Sequence, residues 1–152
     1  METNKLIQEQ LDNKIIKLSG TEQIIIPPAG WIHSIRQGIN MSLKQLGQKL
    51  SITPQSVREI EEREKRGTIS IKVLRQVALA LNMHFVYGFV PKDQTLNKMV
   101  ERRAAELARE IVERTSVQMS LEDQKVSKKR LQNAVSEKAE ELKRQMPKML
   151  WD

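Results

Sequence analysis

Gln55, Ser56, Arg58 and Glu59 fall within five positions just after Thr53-Pro54, and each carries a different hydrogen-bonding head. A glutamine amide fits the N7 and N6 edge of adenine. A guanidinium forks onto guanine N7 and O6, and a serine hydroxyl serves base or phosphate. A carboxylate accepts from a cytosine amine or orients the arginine beside it. Around this group stand side chains suited to phosphate: Ser42, Lys44, Thr53, Lys65 and Arg66. The spacing therefore predicts non-covalent reading of a DNA duplex. Gln55, Ser56, Arg58 and Glu59 are the base-contacting candidates, and the other five are the phosphate-contacting ones. Arg36, Lys49 and Lys72 are further basic residues, assigned equally to phosphate and to solvent.

Those residues need a frame, and caps and apolar spacing supply one. Trp31, Ile32, Ile35 and Ile39 mark a helix that stops near Asn40, with Trp31 as a core anchor. Ser42 caps a second helix whose inner side is Leu43, Leu46, Gly47 and Leu50. After Ser51-Ile52, a hydroxyl N-cap followed by proline at the first helical position starts a third helix, which buries Val57 and Ile60 and breaks at Lys65-Arg66-Gly67. Ser70 caps a fourth, with Ile71, Leu74, Val77, Ala78 and Leu81 inward. Two short helices joined by a brief turn, the second presenting its N-terminal end outward, are the arrangement in which a helix enters the major groove.

Composition excludes most other chemistries. The chain has 152 residues, no cysteine, and histidines only at His33 and His84, which leaves no thiolate or histidine-rich metal site. Both histidines read as surface or half-buried packing residues. No nucleophile–base pair and no phosphate-cradling glycine loop is visible, so neither an enzyme nor a cofactor or metal is expected. Five aromatics are too few for the stacking platforms of a single-strand binder. The net charge of +7 favours a polyanionic partner. Residues 30–91 hold nine Lys/Arg against four acids, whereas residues 1–29 are near neutral and residues 92–152 interleave both signs. The acids Glu59, Glu61, Glu62 and Glu64 alternate with Arg58, Arg63 and Lys65, the pattern of an ion-paired helix end. No apolar run has the roughly 18 residues of a membrane span, and the first residues lack a signal-peptide pattern, so a cytoplasmic protein is expected.

Outside the four helices, Leu6, Ile7, Leu11, Ile15 and Leu18 predict an amphipathic helix over residues 3–18. Gln23–Ile26 and residues 83–90 have strand-like patterns and are expected to pair. The tail is helical, with one stripe through Leu96, Val100, Ala104, Leu107 and Ile111, another through Leu131, Val135, Leu142 and Met146, and a looser join at Thr115–Ser127. The expected fold is mainly α: a phage-repressor-like helix-turn-helix bundle with a short β element and a long helical C-terminal extension. The expected divisions are an N-terminal helix and linker (1–27), a DNA-binding domain with a short strand (28–91), and a helical region for dimerisation or partner binding (92–152).

Leu46-Gly47-Gln48-Lys49-Leu50-Ser51-Ile52-Thr53, Gln55-Ser56-Val57, Ile60-Glu61, and Leu74, Ala78 and Leu81 resemble the phage-repressor and Cro type of helix-turn-helix, the XRE family. Gly47 stands where such proteins usually have alanine, at a helix-propensity cost of up to about 1 kcal/mol. Pro54 stands where a polar residue often touches DNA. A wider likeness rests on Pro27-Pro28-Ala29-Gly30-Trp31-Ile32, Val86-Tyr87-Gly88-Phe89-Val90-Pro91 and Met119-Ser120-Leu121-Glu122-Asp123-Gln124, which together resemble the mobile mystery protein A family. That resemblance implies a regulator or antitoxin encoded on a mobile element beside a Fic-domain protein. Fic inhibitors often carry Ser/Thr-x-x-x-Glu-Gly/Asn. Here only Ser136 has a glutamate four positions on, Glu140, and Glu141 then breaks the pattern, so Glu140 reads as part of a solvated face.

The expected function is a transcriptional repressor that binds a palindromic operator in double-stranded DNA as a homodimer, joined through residues 83–90 as an edge strand or through the helical tail, and regulates a Fic toxin–antitoxin-like operon. The competing expectation is a protein-interaction module that neutralises the Fic partner directly.

Overall fold

The computed structural model describes residues 2–121 and 127–152. They are mainly helical: α1 is Glu2–Ile15, α2 Trp31–Gly38, α3 Leu43–Leu50, α4 Pro54–Arg66, α5 Ile71–Ala80, α6 Leu96–Leu121 and α7 Lys128–Gln145. Short 3-10 turns cover Ile16–Leu18, Thr21–Gln23 and Lys148–Trp151. None of the described helices is long and apolar enough to cross a membrane. Two compact units result, one of Glu22–Tyr87 and one formed by the described residues of Met1–Thr21 and Gly88–Asp152.

In the first unit, the caps read from the sequence are made. Ser42 Oγ accepts the Gln45 N–H at 3.1 Å while Gln45 Oε1 accepts the Ser42 N–H at 2.8 Å, a reciprocal box at the start of α3. Ser70 Oγ accepts the Val73 N–H at 3.2 Å at the start of α5. Ile32, Leu46, Val57 and Val77 are buried together, one from each of α2 to α5, with Leu43, Leu50, Ile52, Ile60 and Leu74 packed around them. Burial of each such side chain contributes about 1.5–3 kcal/mol. This core fixes the angle at which α4 is presented.

Three expectations are corrected. Trp31 is 45% exposed, and the anchor is its neighbour Ile32, because the first turn of α2 points residue 32 at the core. Ile71 is also exposed, and Val73 takes the inward place. No β element forms at Gln23–Ile26 or at residues 83–90 among the described residues. Ile25 is 88% exposed, and no backbone hydrogen bond joins the two stretches. Their composition suits a strand, but a strand needs a paired neighbour, and Pro27-Pro28 removes donors directly after the first run.

The second unit has its own core of Val100, Ala104, Leu107 and Ala108 from α6, Leu142 from α7 and Leu150 from the last turn. The opening of α6 meets the end of α7 through the Lys143–Glu101 pair, and the Arg103 guanidinium donates to the Leu150 and Asp152 carbonyls. Asp12 on α1 caps α6, its carboxylate accepting the Leu96 and Asn97 N–H groups at 2.7 and 3.1 Å. Leu6, Ile7 and Leu11 of α1 stay exposed. α6 continues past Thr115 to Leu121 without the looser join expected there. The rest of that join falls on 122–126, and Glu122-Asp123-Gln124 of the third resemblance motif lie outside the described residues.

Candidate nucleic-acid interface

Thr53 does two things at the start of α4. Its Oγ accepts the Ser56 N–H at 3.1 Å, and its hydroxyl donates to Ser56 Oγ at 2.9 Å. Pro54 occupies the first helical position, where a missing N–H costs nothing. Just before it, Ser51 turns the chain through a left-handed conformation (φ 58°), and the Ile52 N–H returns to the Gly47 carbonyl at 2.9 Å. Gly47 is required by this closeness: a Cβ there would lie 2.7 Å from the Ile52 carbonyl oxygen. The departure from alanine is thus a condition of this turn.

α4 then divides by helical phase. Val57 and Glu61 are buried and Ile60 and Glu64 half-buried, whereas Gln55, Arg58, Glu59 and Glu62 are exposed on the opposite stripe. Gln55, Arg58 and Glu59 thus stand together at the leading end of the helix. Ser56 is half-buried and engaged with Thr53, so of the four base-contacting candidates it is the one tied into the frame. Lys44 is exposed on α3. Ser42 and Thr53 act as caps. Lys65 and Arg66 are exposed in the last turn of α4, about 15 Å along the axis from Gln55.

Sequence reasoning missed the network that holds α4 to α2. Arg36 donates from Nε to Glu61 Oε1 at 2.6 Å and from Nη1 to the Met41 carbonyl at 2.9 Å, and His33 Nδ1 lies 2.8 Å from Glu61 Oε2. Glu61 is only 7% exposed. Burial pushes its carboxyl up, but the hydrogen bonds and charge of Arg36 and His33 outweigh that and hold it below the usual glutamate range. Arg36 is therefore a structural cation, and Glu61 pairs across to α2 rather than with Arg58, Arg63 or Lys65. Glu64 accepts the Trp31 and Ile32 N–H groups at 2.7 and 2.8 Å, placing a carboxylate at the N-terminus of α2. The signal was present: Val57, Ile60, Glu61 and Glu64 follow one helical face, so two of the acids lie in the phase of the core.

Residues 32–87 match the helix-turn-helix family model. They are a helix-turn-helix domain of the XRE type. No curated protein and no solved structure matches the chain. The helix-turn-helix match spans α2 to α5 and the segment after them, the same frame whose caps, turn and core are described above. It points to sequence-specific DNA binding and regulation of transcription, and α3 and α4 are the two helices on either side of the turn.

Proposed function

We propose that the chain is a transcriptional repressor that reads its operator with the exposed stripe of α4. Gln55, Arg58 and Glu59 meet base edges, while Lys44, the caps Ser42 and Thr53, and the far pair Lys65 and Arg66 meet phosphates. The observation that carries this reading is the outward presentation of that stripe on a frame capped at both helix starts. The operator is a palindrome bound by a homodimer in the cytoplasm, with two copies of α4 about 34 Å apart. The family resemblance adds the setting: an operon on a mobile element, regulated by its own product, beside a Fic-domain partner.

A mobility-shift titration against the DNA upstream of the chain's own gene tests this. Gln55→Ala and Arg58→Ala should each weaken specific binding by about 5- to 150-fold, equivalent to roughly 1–3 kcal/mol. Lys44→Ala should weaken binding to all sequences alike and flatten the salt dependence by about one counterion. Unchanged affinity in both the Gln55 and the Arg58 variants would remove α4 as the reading helix.

A second reading, direct neutralisation of the Fic partner, is favoured by Leu6, Ile7 and Leu11 of α1, which are large apolar side chains left exposed. Replacing Leu6 and Leu11 by Lys should abolish co-purification with that partner and spare DNA binding. Retention of the complex would sink this reading.

A further inference from the structure

From Met83 to Pro91 the chain runs without turn, bend or helix, and none of residues 83–90 has positive φ. Among the described residues, no backbone hydrogen bond reaches any N–H or C=O of residues 84–90. Three of its large apolar side chains are open to solvent: Val86 is 77%, Tyr87 59% and Phe89 88% exposed, while Phe85 and Val90 are half-buried. A stretch outside helix and turn, with backbone donors and acceptors unpaired among the described residues and uncovered β-branched and aromatic side chains, has the properties of an unpaired sheet edge. It is not loose at its start, because Tyr87 stacks on Phe85 with centroids 5.8 Å apart and receives the Arg75 guanidinium 5.6 Å from its ring.

We infer that residues 86–90 pair antiparallel with the same residues of a second copy of this chain, forming a two-stranded ribbon across a two-fold axis. This deepens the dimer part of the repressor reading and rests on it. A two-fold axis between antiparallel strands keeps each side chain on its own face, so the axis must pass through a residue position. Centred on Gly88, the pairing sets Tyr87 opposite Phe89 twice and Val86 opposite Val90 twice. Those are the aromatic and β-branched cross-strand pairs that stabilise sheets. Glycine then faces glycine at the position where the Leu18 side chain already fills the space of a Cβ. Centring on Tyr87 instead sets Val86 against Gly88 and leaves it uncovered.

Charge does not oppose the pairing, since no Asp, Glu, Lys or Arg occurs from Met83 to Pro91. Tyr87 and Phe89 expose roughly 300 Å² per copy, and with Val86, Val90 and the backbone the surface available over both copies is on the order of 1,000 Å², the small end of specific interfaces.

The absence of cysteine from the full chain makes the register directly testable. In the Gly88-centred ribbon, a mixture of differently tagged Tyr87→Cys and Phe89→Cys copies should cross-link on mild oxidation, because opposed strand residues lie within disulfide reach. Either variant alone should give at least tenfold less product, its two cysteines being offset by two residues, about 7 Å along the strands. Sedimentation should give twice 17.6 kDa for the wild type and 17.6 kDa for Phe89→Lys, with an unchanged helical spectrum. A wild-type dimer that gives no mixed cross-link, or that persists in Phe89→Lys, overturns this interface while leaving the dimeric repressor reading intact. A wild type that is monomeric both free and on DNA overturns both. The mixed cross-link without any operator binding would uphold the ribbon and remove the repressor reading.

Discussion

Glu61 decides how firmly α4 is held to α2. Its carboxylate lies between Arg36 and His33 in a largely dry contact of α4 with α2. Removing one partner of such a group leaves the other buried and uncompensated, so Glu61→Ala should cost about 3 kcal/mol in urea unfolding. The double change Arg36→Met/Glu61→Leu should cost less than that single change, since no charge is then stranded. The same group sets an acid limit. A carboxyl whose folded pKa lies below its unfolded value near 4.3 contributes stability that is complete above that value and lost as pH falls through the lowered one. The urea midpoint of the first unit should therefore fall as pH drops below about 4.3, and Glu61→Gln should flatten that fall. Equal acid dependence in the two proteins would show that the acid limit lies elsewhere.

At the scale of elements, the caps and one close approach set the angle between α3 and α4. Thr53→Ala should lower stability by about 1 kcal/mol and reduce DNA affinity as the leading turn frays. Gly47→Ala is more discriminating. By helix propensity alone it should stabilise α3 by about 1 kcal/mol. The Ile52 carbonyl, 2.7 Å from where the Cβ would sit, belongs to the backbone and cannot swing aside, so the turn must open. Net destabilisation with weakened operator binding is the expected outcome; a more stable protein with unchanged binding would show that the turn is slack. α1 illustrates the other side of local patterning. Its apolar stripe is evident in the sequence, yet its cap on α6 is made by the polar Asp12, and Leu6, Ile7 and Leu11 are left at the surface.

Among the described residues there are two hydrophobic cores, and no buried side chain is shared between them. Thermal unfolding should accordingly resolve into two transitions rather than one. Leu46→Ala should lower one and Leu142→Ala the other, each by about 2–5 kcal/mol, measured by calorimetry. A single transition shifted by both variants would mean that the units unfold together. The proposed pairing of residues 86–90 between two copies would use neither core.

Much of the helix-turn-helix frame was legible without coordinates, because its information is local. A hydroxyl at an N-cap, proline at the first helical position, glycine at a C-cap and apolar residues three and four apart act within a turn or two of chain. Ser42, Thr53, Gly67 and Ser70 do what their types require, and the outward phase of Gln55, Arg58 and Glu59 follows from the inward phase of Val57. What the tertiary structure alone decided depends on residues distant in sequence. Glu61 reaches Arg36 across 25 positions, Glu64 caps α2 across 32, and Asp12 caps α6 across 84. The strand-like stretches mark the same limit from the other direction. Side-chain type records that Ile24–Ile26 and Phe85–Val90 suit a sheet, but pairing is a property of two segments, and among the described residues neither is paired.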